Sequence, residues 1–263
     1  MCSSCRKYNL DYTTISQDLD YILNQPSSEQ VFWNGTRDEG RAGMCLNDFA
    51  NSTVMQQLSA LDPSGQAKLT VAEIASLRFY TSHSYDCINA PLRDQQRTTS
   101  HPLPALVICI QNGLKKLRAL NADDGSSSDV MVLWRGFYNN QAPSEFFANG
   151  GTELAPMSTT PDLRVAVRYA INKPGKELKP SLIMRILTHN NLQRGASVQW
   201  LSMFPGEVET LFPPLTYLQA TGRTRILQHS VENSSGGTHK SDVSLGEERG
   251  FHITIIEVTP TLP

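Results

Sequence analysis

The sequence predicts an α+β protein in which a helical N-terminal lobe packs on a mostly antiparallel, strand-rich lobe. Apolar residues recur at helical spacing in the first half of the 263-residue chain. After a polar loop at residues 121–129 (NADDGSSSD), short apolar runs of strand type predominate. We therefore expect a partly helical extension of unassigned role at residues 1–50 and one main domain at residues 51–263. Its helical lobe would cover residues 51–125 and its β-rich lobe residues 126–263.

The helices are predicted from apolar residues at helical spacing and from signals at the helix ends. Leu61 to Gly65 (LDPSG) has the composition of a turn, so it should separate two helices. Thr70 and Glu73 have the spacing of a capping box, in which each side chain binds the backbone amide of the other residue. The predicted helices are one that ends at Gln25-Pro26, one around Leu58, one that Thr70 opens, and one from Leu103 to Leu120.

The second half of the chain should be mostly β-structure, interrupted by one helix. Pro161 suits the first turn of that helix and Thr160 its N-cap, with apolar residues following from Val165 to Ala170. Residues 233–243 (NSSGGTHKSDV) are expected to form a surface loop. The predicted strands are Val130–Trp134, Leu182–Leu187, Val198–Leu201, Val208–Phe212, Thr224–Leu227 and Phe251–Val258.

The composition is that of a globular protein without a strong charge. Lys and Arg total 23 against 25 Asp and Glu, so no electrostatic argument favours nucleic acid or an anionic membrane as a partner. No apolar run is long enough to cross a bilayer, and the absence of an apolar signal segment favours a cytoplasmic location. The six histidines show no ligand-like spacing, and the Cys2-x-x-Cys5 pair has no second pair at zinc-ligand spacing, so no metal is expected. The glycine-rich motifs of Rossmann folds and P-loops are also absent.

Arg135 lies at the end of a predicted strand (Leu133-Trp134-Arg135) and is followed by Gly136. A strand end would place the guanidinium at the rim of a sheet, where a glycine permits close approach of a ligand. Arginine is suited to a bidentate grip on a pyrophosphate. The alternative is an edge-strand arginine in a surface ion pair.

Ser158, Thr159 and Thr160 are three consecutive hydroxyl residues at a strand-to-helix junction. If Thr160 caps the helix, Ser158 is left to hydrogen-bond a neighbouring group. Capping by itself would also explain the triplet.

Glu207 and Glu209 are separated by one residue in a predicted strand. They would then point to the same side, about 6 to 7 Å apart along the strand. Like charges side by side disfavour full ionisation. Paired carboxylates suit glycosyl transfer, because positive charge develops on the sugar ring. Two solvated carboxylates on an exposed strand are the alternative.

These three motifs in this order resemble the R-S-E triad of the arginine-specific mono-ADP-ribosyltransferases, a family that includes cholera-toxin-type toxins. Here the triad is Arg135, Ser158 and Glu209, and the sequence LFPP follows the E-x-E motif as it does in that family. The resemblance runs from about residue 66 to the C-terminus, because the helical half carries three further segments of the family's L-R-x-Y-T…I-N…L-R pattern. These segments are Leu77–Thr81, Ile88-Asn89 and Leu92-Arg93.

The resemblance implies the split β-sandwich of that family and NAD as substrate, with NADP as an alternative. Arg135 would hold the phosphates or the adjoining ribose, Ser158 would fix Glu209, and Glu209 would stabilise the ribosyl cation as nicotinamide leaves. Two departures concern this side of the site: Thr160 replaces the usual serine, and Pro156-Met157 replaces aromatic residues. The other residues expected to bind NAD are Trp134, Gly136, Thr159 and Thr160.

The acceptor side of the site is implied by Glu207, which would bind the acceptor guanidinium and take up its proton. Phe204 would pack on the acceptor, since a guanidinium stacks well on an aromatic ring. The resemblance therefore predicts transfer of ADP-ribose from NAD to an arginine of a protein or to a small guanidino compound. The alternatives are an NAD glycohydrolase with the same triad and a non-catalytic binding module of the same fold.

Overall fold

The structure is a computed structural model that describes residues 53–82, 85–123, 130–171, 180–229 and 251–263. Within these ranges, helices come first and two β-sheets follow. The α+β class predicted from the sequence is confirmed. The predicted helix ending at Gln25-Pro26 and the predicted loop at residues 233–243 lie outside the described residues, and the domain boundary at residue 50 stays a prediction.

The helical part of the described chain has its own apolar core, in which α3 packs on α5. The predicted capping box opens α3: the Thr70 hydroxyl accepts from the Glu73 amide at 3.2 Å, and the Glu73 carboxylate accepts from the Thr70 amide at 2.8 Å. None of the helices in the described ranges has the length and apolar character needed to cross a membrane. The helices are α1 (Thr53–Ala60), α2 (Asp62–Ala67), α3 (Val71–Tyr80), α4 (Asp86–Arg93) and α5 (Pro104–Asp123).

Two predictions for the helical part are wrong. Leu61 to Gly65 is the start of α2 instead of a turn, because Pro63 fits the first turn of a helix and the Gly65 amide donates to the Leu61 carbonyl at 3.1 Å. Likewise, the polar loop does not begin at residue 121 as expected. Residues 121–123 complete α5, and residues 124–129 lie outside the described part of the chain.

The β-rich part consists of a five-stranded sheet in the order β1-β4-β8-β7-β2 and a three-stranded sheet in the order β3-β6-β5. Every pairing is antiparallel except that of β4 with β8. A buried cluster joins the two sheets, with Leu133 and Ile256 from the larger sheet against Met157 and Phe212 from the smaller one. The strands are β1 (Met131–Tyr138), β2 (Gly151–Glu153), β3 (Met157–Thr159), β4 (Ser181–Thr188), β5 (Ala196–Ser197), β6 (Thr210–Phe212), β7 (Thr216–His229) and β8 (Phe251–Thr261).

Two predicted strands take a different form. The strand expected at Val198–Leu201 is a 3₁₀ turn (Gln199–Leu201), because Val198 and Leu201, three residues apart, both bury into the helical core. The strand expected at Val208–Phe212 begins only at Thr210, since Val208 has a left-handed backbone (φ 49°) that no strand contains.

Two helices lie among the strands: α6 (Ser144–Asn149) and α7 (Leu163–Ala170). The N-cap of α7 is Asp162, whose carboxylate accepts from the Arg164 amide at 2.9 Å, so the prediction of Thr160 as the cap is wrong. Gly136 lets α7 lie directly on β1. A Cβ at that position would come within 1.9 Å of the Ala166 carbonyl oxygen.

Candidate active site

Strand β1 holds Arg135 beside the Ser158–Thr160 segment. On one edge β1 pairs with β4, and on the other Trp134 forms a bridge to Thr160 with N–H···O distances of 2.7 and 3.0 Å. The Arg135 guanidinium then reaches back and donates to the Ser158 carbonyl at 2.8 Å. The first two motifs of the sequence are thus joined by both backbone and side-chain hydrogen bonds.

The hydroxyl triplet divides its hydrogen bonds between two tasks. Thr159 donates to the Thr210 carbonyl at 2.7 Å, and Thr160 donates to the Glu207 carbonyl at 2.8 Å. Ser158 points to the opposite face of β3 from Thr159, because side chains alternate along a strand. Its hydroxyl hydrogen-bonds the carboxylate of Glu209. The two threonines therefore fasten the segment that carries the glutamates, while the serine orients one carboxylate.

Glu209 is the carboxylate with the most perturbed environment in the described residues. Its pKa is raised to about 7, first by burial and then by the charge of Glu207. The Ser158 hydrogen bond and the Arg135 charge act in the opposite direction on the same pKa. A carboxylate balanced in this way titrates near neutral pH, which is typical of groups that take part in chemistry.

Glu207 is held by a 3₁₀ turn, Pro205–Glu207, and not by a strand. The left-handed Val208 separates it from Glu209, so the predicted arrangement of both carboxylates on one strand face is wrong. The side chain of Glu207 is half-buried and accepts from the Tyr169 hydroxyl, at 3.0 Å to each carboxylate oxygen. The turn still leaves the two carboxylates close enough for the charge of Glu207 to raise the pKa of Glu209.

Arg78, within α3, and Thr81, the C-cap of α3, support the segment that leads to Glu207. The Arg78 guanidinium donates to the Leu201 carbonyl at 2.9 Å, and the Thr81 hydroxyl accepts from the Met203 amide at 3.0 Å. Both side chains are buried. Sequence reasoning assigned them to the helical pattern of the resemblance but did not predict these contacts, which join positions more than 120 residues apart.

A second support reaches the hydroxyl triplet from the same helical part. Tyr80 is buried, donates to the Pro156 carbonyl at 2.7 Å and accepts from the Asn89 amide at 3.0 Å. Pro156 lies two residues before Ser158 and directly before Met157, so this contact fixes the start of β3. Arg93 forms a two-bonded ion pair with Glu153, at 2.9 and 3.0 Å, shortly before that segment.

Arg135 has bonding capacity beyond its contact with Ser158. Its Nε is buried and has no hydrogen-bond partner among the described residues. Burial lowers the pKa of Arg135, while Tyr80 and Glu153 oppose that shift, and a guanidinium remains charged in proteins. A charged donor with an unpaired buried N–H fits an anionic or oxygen-rich ligand such as a phosphate or a ribose.

Trp134 and Gly136 lie on the other face of β1 from Arg135, because side chains alternate along a strand. Trp134 packs with Ala170 and Ile183, and Gly136 accommodates α7. Their assignment to NAD binding stays a prediction. Phe204 precedes the turn of Glu207 and is half-buried, and its contact with an acceptor also stays a prediction. In the part of the chain that is described, no three potential metal ligands come together.

The fold has counterparts among solved structures, although no family model and no curated protein matches the sequence. The ADP-ribosyltransferase HopU1 of Pseudomonas syringae aligns over 94% of this chain and 98% of its own, with a TM-score of 0.53 at 14% identity. This chain has the ADP-ribosyltransferase fold. The fold class inferred from the resemblance is therefore confirmed.

Two other solved structures are similar at lower scores. The toxin Plx2a of Paenibacillus larvae has a TM-score of 0.47 at 15% identity, over 79% of this chain and 94% of its own. Exoenzyme S of Pseudomonas aeruginosa has a TM-score of 0.46 at 18% identity, over 77% of this chain and 80% of its own. Within its ADP-ribosyltransferase fold, the present chain forms its candidate site where β1, β3 and the turn before β6 meet.

Proposed function

We propose that the protein transfers ADP-ribose from NAD to an arginine side chain and releases nicotinamide. The observation that carries this proposal is the connected group of Arg135, Ser158 and Glu209. Arg135 binds the Ser158 carbonyl, the Ser158 hydroxyl binds Glu209, and the charge of Arg135 acts on Glu209. The three residues named from a sequence resemblance are thus neighbours with complementary chemistry.

NAD would bind with its phosphates or the adjoining ribose at Arg135, whose buried Nε offers a donor. Ser158 would keep Glu209 in one rotamer. Glu209 would bind the 2′-hydroxyl of the nicotinamide ribose and stabilise the positive charge that develops on the ring. Thr159 and Thr160 would complete the proposed NAD site through the backbone segment that their hydroxyls hold in place. Trp134 and Gly136 lie on the opposite face of β1, so they would contribute to NAD binding by packing α7 against the strand that carries Arg135. NADP is an alternative substrate.

The acceptor is proposed to be a guanidinium, either of a protein arginine or of a small compound. The bond from ribose C1′ to the nicotinamide nitrogen breaks, and its electron pair leaves with neutral nicotinamide. A guanidinium nitrogen forms the new bond to C1′ and gives up one proton to Glu207. Glu207 supports this role because its carboxylate is half-buried, oriented by Tyr169, and close enough to Glu209 to raise the pKa of that residue. Phe204 would contact the acceptor beside it.

The direct test is incubation of the purified protein with NAD and agmatine, followed by mass spectrometry of both products. We expect nicotinamide and ADP-ribosyl-agmatine to form in parallel. Nicotinamide with free ADP-ribose but no adduct would contradict arginine transfer and indicate an NAD glycohydrolase. Binding of NAD without either product would indicate a non-catalytic module of the same fold.

A further inference from the structure

The hydroxyl of Tyr169 is bound to both carboxylate oxygens of Glu207. Each O···O distance is 3.0 Å, and the contact joins the C-terminal end of α7 to the 3₁₀ turn 38 residues later. Tyr169 is 54% exposed, so the residue is not part of the apolar core. Its hydroxyl therefore serves a polar contact at the surface of the candidate site.

The helix that carries Tyr169 is held firmly against the larger sheet. Gly136 brings the backbone of α7 into contact with β1 at Ala166, and the Ser181 hydroxyl donates to the Ala170 carbonyl at 2.5 Å. The neighbouring Ala170 is fully buried. The backbone of Tyr169 is therefore fixed by packing. Glu207, in contrast, lies in a short turn between the exposed Gly206 and the left-handed Val208.

We propose that Tyr169 is a positioning residue that orients the Glu207 carboxylate for the acceptor guanidinium, an inference that rests on the proposed function. A glutamate side chain has three rotatable bonds, and ordering it costs conformational entropy. The phenol contributes that ordering before the acceptor arrives. An ionised carboxylate has about four acceptor positions, so those not used by the phenol stay available to a guanidinium.

The protonation state of Tyr169 suits this role. Partial burial of Tyr169 raises its pKa, and so do the charge of Glu207 and the hydrogen bond to it. The hydroxyl therefore keeps its proton in the range in which the enzyme would work and donates to Glu207 throughout. During transfer, one guanidinium proton passes to Glu207 while the guanidinium nitrogen bonds to ribose C1′. Tyr169 gains or loses no atom.

The test compares Tyr169→Phe with Tyr217→Phe. Both substitutions remove a phenolic hydroxyl, but Tyr217 lies on β7 and donates to the Asn149 carbonyl of α6. Strands β4 and β8 separate β7 from β1. Loss of a hydrogen bond to a charged group lowers a rate that depends on it by roughly ten- to a hundredfold. We expect Tyr169→Phe to lower kcat/KM for agmatine by about that factor, with NAD hydrolysis in the absence of acceptor within about twofold of wild type. Tyr217→Phe should change neither rate by more than about twofold.

A double variant separates positioning from a general loss of structure. If Tyr169 acts through Glu207, adding Tyr169→Phe to Glu207→Gln should lower transfer no further than Glu207→Gln alone. Equal losses of transfer and hydrolysis in Tyr169→Phe, unchanged transfer, or additive losses in the double variant would each overturn the inference. If wild type and Tyr217→Phe both cleave NAD but form no adduct, the proposed arginine transfer fails, and the inference fails with it.

Discussion

At the scale of single residues, the proposed reaction depends on the protonation of Glu209. Its carboxylate is held between opposing influences: burial and Glu207 raise the pKa, and Ser158 and Arg135 lower it. Only the ionised form can stabilise a cation on the ribose. Protonation near neutral pH should therefore appear directly in the rate of NAD cleavage.

We expect NAD hydrolysis without acceptor to rise with pH and to reach half its maximum at about pH 7, since the pKa of Glu209 is about 7. Glu207→Gln removes a charge that raises the pKa of Glu209, so this variant should reach half its maximal rate at a lower pH than wild type. Ser158→Ala removes a hydrogen bond that lowers the pKa of Glu209, so this variant should reach half its maximal rate at a higher pH than wild type. The measurement is the initial rate of nicotinamide release from pH 5 to pH 9. If wild type and both variants reached half their maximal rate at the same pH, a group other than Glu209 would control the pH dependence.

The residue scale also shows what the sequence could and could not predict. Arg135, Ser158 and Glu209 were predicted because their types and order carry the chemistry. The geometry of Glu207 was not, because a β-branched valine between two glutamates indicates a strand, whereas Val208 is left-handed. The Tyr169 contact was missed for a related reason: the periodicity of α7 marks Tyr169 as one of its apolar residues, and only the position of the turn gives its hydroxyl a partner.

At the scale of elements, α7 and β1 act as one unit, because Gly136 removes the side chain that would separate them. Elements defined by local signals, such as the capped start of α3, were predicted from the sequence. The 3₁₀ turn at Gln199–Leu201 was not, because Val198 and Leu201 turn toward the core of a different lobe. Tertiary packing overrode the local strand pattern there.

Gly136→Ala should destabilise the protein by about 2–3 kcal/mol, because the new Cβ would lie 1.9 Å from a backbone oxygen that no rotamer change can move. It should also weaken transfer to agmatine, since shifting α7 displaces Tyr169 from Glu207. The matched control is Gly65→Ala, within α2, where an added Cβ meets nothing within 4 Å. That substitution should raise stability by up to about 1 kcal/mol. Thermal denaturation of both variants provides the measurement, and equal melting temperatures would refute the packing argument.

The helical part is joined to the site by Tyr80, whose hydroxyl spans from the Asn89 amide to the Pro156 carbonyl. Tyr80→Phe should cost about 1–3 kcal/mol, because it leaves both groups without this partner in a buried site. Since Pro156 precedes Ser158 closely, NAD hydrolysis should fall as well. Tyr138→Phe, at an exposed position at the end of β1, is the control for both melting temperature and rate. An unchanged hydrolysis rate in a destabilised Tyr80→Phe would limit Tyr80 to a structural role.

At the scale of the whole molecule, the fold brings together residues that are far apart in the sequence. Helix α3 reaches the Leu201–Met203 segment across more than 120 residues, and Arg135 reaches Ser158 across 23. The division into a helical and a β-rich part could be read from hydrophobic period alone. The contacts between the two parts could not, because a single sequence contains no signal for pairs at such separation. The resemblance identified the segments concerned but not what they bind.

In the proposed reaction, Glu209 drives cleavage of NAD and Glu207 binds the acceptor. The most direct measurement is the pair of rates, nicotinamide release without acceptor and adduct formation with agmatine, in Glu209→Gln and Glu207→Gln. Glu145→Gln, an exposed carboxylate on α6, is the matched control. We predict that Glu209→Gln lowers both rates at least about a hundredfold relative to wild type. That is a typical effect of removing one group that stabilises a transition-state charge. Glu207→Gln should lose adduct formation far more than nicotinamide release, and Glu145→Gln should lose neither. Near-normal cleavage in Glu209→Gln, or equal loss of both rates in Glu207→Gln, would contradict these roles of the two carboxylates.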